Sequence, residues 1–173
     1  PDIEESVSTR AIEALMSNYR DPQQAFLELI DNAVDNRIDG NPLVVRIRSS
    51  RNELSVFNQG GRGLDFEGLG KFFVWGYSEK TAREIGFYGV GGKAAMGFLG
   101  RSMEVSCSAK ASDTEYKVVD PAWETREEGE LKKFTPEEKK AASQKGYFRV
   151  KVTNLKREVS AQALATKLGD IYA

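Results

Sequence analysis

Histidine is absent from these 173 residues, which removes imidazole general bases, histidine metal sites and His-dependent triads. The single cysteine, Cys107, allows no intrachain disulfide and supplies no thiolate cluster for zinc. No apolar run approaches the length of a bilayer-spanning helix and no signal peptide is visible, so no membrane partner is expected. An excess of one charge is missing too: 25 Lys and Arg stand against 26 Asp and Glu, a formal net charge of −1. No overall basic field marks the chain as a nucleic-acid binder, which leaves that role to a local patch or to another domain. What is present is 40% hydrophobic residues, enough at this length for one domain with a real core. Beginning at Pro1 without methionine, the chain reads as a piece of a longer protein, compatible with nucleus or cytosol.

Periodicity and punctuation then set the elements. Ile12, Leu15, Met16 and Tyr19 recur at helical spacing, predicting a helix over Thr9–Tyr19. Asp21-Pro22 reads as an N-cap and first helical position, opening a helix that should run to about Ile38, before the turn Asp39-Gly40-Asn41-Pro42. Strands are expected at Leu43–Arg48 and Leu54–Asn58, and a short helix at Phe66–Val74. Residues 75–92 carry many glycines and little periodicity, which predicts a long binding loop or lid. A helix over Lys93–Leu99, strands at Arg101–Ala109, Glu115–Val119 and Tyr147–Val152, and an amphipathic helix Ser160–Tyr172 complete the pattern. Between Pro121 and Lys145 six acids and six bases nearly cancel, the signature of a solvated charged insert, with a helix expected after Pro136. The order implies an α+β, two-layer sandwich with helices on one face of a mixed, mainly antiparallel sheet, residues 1–173 forming a single domain.

Two segments carry chemistry. On the helix Pro22–Ile38, Glu28, Asn32 and Asp35 share one narrow stripe, and apolar residues fill most of the remaining circumference. A helix apolar nearly all round is buried, so a carboxylate–amide stripe on it must face a cation, a hydrated metal or a partner side chain. The bland alternative is a helix whose acids point to solvent beside Arg37. The second segment, Gly86-Phe-Tyr-Gly89-Val90-Gly91-Gly92-Lys93, is a glycine run that can converge its N–H groups on phosphate, aided by the positive end of the following helix. It is not a Walker A loop, because Phe87 stands where the first glycine belongs and Ala94 where the hydroxyl belongs. It also matches Gly-x-Gly-x-x-Gly/Ala, but no apolar strand leads into it, which argues against a dinucleotide fold.

Glu28-Leu-Ile-Asp-Asn32-Ala-Val-Asp35 resembles the N-box of the GHKL ATPases (gyrase, the ninety-kilodalton heat-shock chaperone, histidine kinases and MutL). Gly60-Gly61-Arg62-Gly63-Leu64 resembles the box that closes over adenine, and Ile85-Gly86 to Gly92 the box at the end of the ATP lid. Within that family, Trp75-Gly-Tyr-Ser78-Glu-Lys80-Thr, the run into Lys93, Gly92–Gly100 and Leu164–Tyr172 are most similar to the microrchidia branch and the SMC-hinge-domain-containing chromatin ATPases. The resemblance implies a Bergerat-type fold binding ATP with Mg²⁺. It assigns Glu28 as the general base for attacking water and Asn32 as the metal ligand. The nucleotide-contacting set it implies is Asn32, Asp35, Gln59, Gly61, Gly63, Leu64, Ser78, Lys80, Gly86, Gly89, Val90, Gly91, Gly92 and Lys93.

Two positions depart from the family pattern. Gln59, or Asn58 if the loop is shifted by one, stands where an aspartate accepts from the adenine amino group, and Tyr147-Phe148 replaces a hydroxyl-bearing pair at the head of its strand. The resemblance further implies slow hydrolysis, lid closure that gates an ATP-dependent homodimer, and a phosphate-sensing lysine supplied by a second domain. Chromatin or DNA would be engaged through other domains, in the nucleus of a eukaryote or the cytoplasm otherwise. Alternatives are a degenerate, non-hydrolysing interaction scaffold and a chaperone-like or bacterial defence ATPase.

Overall fold

The computed structural model describes residues 3, 8–75, 91–140 and 144–172. Helix α1, Thr9–Met16, starts where Ser8 accepts a hydrogen bond from the Ala11 amide, and buries Ile12 and Met16, one turn apart. Helix α2, Pro22–Asp35, is capped by Asp21, whose carboxylate accepts from the Gln24 amide at 2.8 Å. Ala25, Phe26, Leu29, Ile30 and Ala33 form its buried face. Fully burying each of its larger apolar side chains contributes about 1.5–3 kcal/mol. Asp65 caps α3, Phe66–Phe72, in the same way.

Helix α4, Gly91–Leu99, is buried at every position from Gly92 onward, and it packs against both α2 and α1. The last helix, α5, spans Ala161–Tyr172 and buries Leu164.

Among the described residues the sheet has six strands: β1 Val44–Ser49, β2 Glu53–Gln59, β3 Gly100–Ser108, β4 Thr114–Asp120, β5 Glu137–Lys140 and β6 Tyr147–Leu155. Their spatial order is β1-β2-β6-β3-β4-β5, so the late strand β6 joins the hairpin β1–β2 to the meander β3–β4–β5. Every pairing among them is antiparallel, in keeping with the mainly antiparallel sheet expected from the sequence. Cross-strand register defines the helix-facing rows: Ile47–Val56–Val150–Val105–Val118 in one and Val45–Asn58–Phe148–Cys107–Tyr116 in the next. The opposite face carries Arg46–Phe57–Arg149–Ser106–Lys117 and Arg48–Ser55–Lys151–Glu104–Val119. Among the described residues no helix is long and apolar enough to cross a membrane.

Two expectations change in the charged segment. Instead of a helix after Pro136, residues Glu137–Lys140 form β5 against β4, where Lys117 Nζ meets Glu137 at 3.3 Å. Residues 121–134 are not simply solvated either. Trp123 is fully buried, and Phe134 packs on it and on Phe73.

Cys107 lies on the helix-facing side, fully buried. Burial first, then the nearby carboxylates of Asp65 and Glu115, push its thiol up to about 12. Native protein at pH 8 should therefore resist iodoacetamide for hours and label promptly once unfolded in urea. Rapid native labelling, followed by mass spectrometry, would contradict this placement.

Candidate functional site

The site is built where α2 meets the N-terminus of α4. Glu28 and Asn32, one turn apart, are half-buried and face the first two residues of α4. A Cβ placed on Gly91 would overlap Glu28 Oε2, and one on Gly92 would overlap Asn32 Nδ2. With glycine at both positions the carboxylate and carboxamide lie directly against the helix end, and a larger residue at either would push the Glu28 or Asn32 side-chain tip aside.

The start of α4 is fixed from two further sides. Tyr19 Oη donates to the Gly91 carbonyl at 2.9 Å, and its ring packs on Phe98. Burial, with Glu28 adding to it, raises the Tyr19 pKa well above the usual range, keeping the phenol a donor. From the charged segment, Trp123 Nε1 donates to the Lys93 carbonyl at 3.1 Å. Trp123 in turn stacks nearly parallel to Trp75 and carries Arg126 4.6 Å from its ring centroid.

One turn along, at the C-terminus of α2, Asn36 organises the glycine turn. Its Oδ1 accepts from Asn58 Nδ2 and from the Gly63 amide, both at 2.9 Å, while its Nδ2 donates to the Gly63 carbonyl at 3.2 Å. The Asn36 carbonyl accepts from the Arg62 amide. Gly61 lies against the same residue. Gly63 has φ +64° with Ser108 O where a Cβ would stand, so no other residue fits there without moving backbone. Asp35 is buried, with Arg37 Nη1 3.5 Å from its carboxylate and Arg62 Nη2 donating to its carbonyl at 2.7 Å. Leu64 is half-buried and packs on the core, just ahead of the Asp65 cap.

Of the residues singled out from the sequence, Glu28, Asn32, Gly91 and Gly92 come together, with Asp35, Gly61, Gly63 and Leu64 following around the α2 C-terminus. Gln59 does not join them. Strand alternation sets it in register with Val44 and Tyr147, on the sheet face away from the helices. The residue at this strand end that faces the helices is Asn58. It is fully buried, and its Oδ1 has no hydrogen-bond partner among the described residues. Lys93 is 4% exposed and donates to the Phe72 carbonyl at 2.7 Å, so its ammonium is directed into the α3–α4 junction. Ser78, Lys80, Gly86, Gly89 and Val90, and the lid they were assigned to, lie outside the described residues. Tyr19, Asn36 and Trp123 were missed by sequence reasoning. The one signal for Trp123 was a lone tryptophan in an otherwise charged stretch.

No family model matches the chain, and no curated protein matches it significantly. Among solved structures it is similar to the ATPase and transducer domains of DNA topoisomerase II from Balamuthia mandrillaris. The TM-score is 0.53 at 20% identity, over 76% of this chain and 37% of that one. The chain therefore spans little more than a third of that neighbour's length. At this identity the likeness concerns the fold alone: a two-layer α+β sandwich with its helices on one face of an antiparallel sheet.

Proposed function

We propose that this chain is an ATP-binding, Mg²⁺-dependent ATPase domain with slow turnover. One observation carries the reading: Glu28 and Asn32 lie against the paired glycines that begin α4. A carboxylate and a carboxamide held beside a glycine-lined helix N-terminus fit a phosphate chain and its cation, because helix N–H groups and dipole favour anions there. The donor set suits a hard cation bound through one amide oxygen, with phosphate oxygens and water completing its shell. When bound, Mg²⁺ would neutralise charge building on the phosphates. Glu28 would orient a water and accept its proton, and Tyr19 and Trp123 would hold the Gly91 and Lys93 carbonyls so that the α4 end keeps its aim. Asn58 Oδ1, on the helix-facing side, is better placed than Gln59 to accept from a base.

ATP-dependent homodimerisation through lid closure, a role in chromatin silencing, repair or chromosome maintenance, and nuclear location in a eukaryote belong to the same proposal. They rest on the resemblance of segments 75–81, 85–100 and 164–172 to the microrchidia and hinge-domain ATPases. The similar topoisomerase II ATPase domain is consistent with the broader class alone.

Gln59 on the far face and Lys93 turned onto Phe72 favour a second reading, a scaffold that retains the fold without hydrolysis. Calorimetric titration with ATP decides between them. Wild type is expected to bind in a Mg²⁺-dependent manner, and Asn32→Ala to lose at least about tenfold in affinity together with most of that dependence. No binding by wild type would favour the scaffold. Unchanged Mg²⁺ dependence in Asn32→Ala would remove Asn32 as the ligand.

A further inference from the structure

We propose that the sheet face turned away from the helices is a docking groove for single-stranded nucleic acid. On the face away from the helices, Arg46, Arg48, Glu53, Ser55, Phe57, Gln144, Arg149 and Lys151 line a groove of about 350 Å³. Its walls are two basic rows. Arg46 and Arg48 stand on β1, two residues apart on one face, so about 7 Å separates them. Arg149 and Lys151 repeat that spacing on β6. The strand between, β2, supplies the floor with Ser55 and Phe57, setting the walls about 10 Å apart.

Charge and chemistry select the occupant. Glu104 binds both Arg149, at 2.8 Å, and Lys151, at 3.5 Å, and Glu53 lies in the groove itself. The four cations nonetheless keep a local excess of two positive charges, in a chain whose total is −1. Arg46 and Arg48 are exposed, and the Arg46 guanidinium lies 5.9 Å from the Phe57 ring centroid. Arginine rows neutralise phosphates, and flat guanidinium and aromatic surfaces stack bases. An acidic peptide would use the charges but not the aromatic surface that Phe57, whose ring packs on Tyr147 at 5.6 Å between centroids, still presents to the groove. A duplex is too wide to lie between walls so close together.

The groove is on the opposite side of the sheet from Glu28 and Asn32, so its test is independent of the ATPase reading. Fluorescence anisotropy of a labelled short oligothymidylate at low salt should show binding by wild type. The double variant Arg46→Glu/Arg48→Glu should weaken it by at least about tenfold and flatten the plot of log affinity against log salt by about 1.4, as loss of two single-strand phosphate contacts requires. The urea-unfolding midpoint of the same variant should match wild type, a control that these exposed substitutions leave the fold intact. Four results would overturn the proposal: no oligonucleotide binding by wild type, equal binding by the variant, tighter binding of duplex, or equal competition by polyglutamate.

Discussion

Glu28→Gln is expected to lower ATP turnover by about 10²- to 10⁴-fold, the range for removing a positioned general base, while Mg²⁺-ATP affinity changes by no more than about threefold. Glutamine is the informative replacement because Glu28 Oε2 occupies the space that a side chain at Gly91 would need. The amide fills that space and can still orient a water, but it cannot take the proton. Single-turnover hydrolysis of γ-labelled ATP suits a slow enzyme, with calorimetry on the same samples to separate chemistry from binding. If Glu28→Gln turned over at the wild-type rate, Glu28 would be no base. If it lost binding instead, the carboxylate would be holding the nucleotide or the α4 end.

The elements that could be read from the sequence were those whose signals are local. Ser8, Asp21 and Asp65 each accept from an amide three residues on, so helix starts needed no knowledge of the rest of the chain. The strands agree with their expected positions to within a few residues, because alternation is a property of the segment itself. Helix ends were different. The second helix was expected to reach Ile38 but stops at Asp35, where the Asn36 carbonyl accepts from the distant Arg62 amide and the Arg37 amide tightens onto the Val34 carbonyl. Glu137–Lys140 has good helix propensity yet forms a strand, since an open edge of β4 and a cross-strand ion pair to Lys117 outweigh a preference of a few tenths of a kcal/mol per residue.

The site divides along the same line. Glu28 and Asn32 were recognisable because a one-turn stripe on a buried helix is itself a physical anomaly. Which side of the sheet Gln59 would take depended on the register of β2 against β6, and a shift of one residue exchanges the two faces. Lys93 was assigned to phosphate from its place after the glycines. In the fold, its ammonium reaches the Phe72 carbonyl and lies 5.2 Å from the Phe72 ring centroid, partners contributed by a different helix.

Asn36→Ala is expected to cost about 3–5 kcal/mol, a large part of the roughly 5–15 kcal/mol that stabilises a domain. The substitution removes three side-chain hydrogen bonds at a residue 7% exposed. It also leaves Asn58 Nδ2 and the Gly63 amide buried without acceptors, and each such orphan costs about 1–3 kcal/mol. Urea unfolding should show a lower midpoint with an unchanged slope. A double-mutant cycle with Asn58→Ala makes the mechanism testable: removing the Asn58 donor first abolishes one orphan, so the double variant should be less destabilised than the two single losses summed, by about 1 kcal/mol or more. Strict additivity would show that Asn36 and Asn58 do not act as a pair. Because Asn36 also holds the glycine turn to the end of α2, ATP affinity should fall even at temperatures where the variant remains folded. A stable variant with unchanged affinity would detach the turn from the nucleotide site. A folded variant that binds weakly would show that the Asn36 hub keeps the α2 stripe and the glycine turn in one rigid frame.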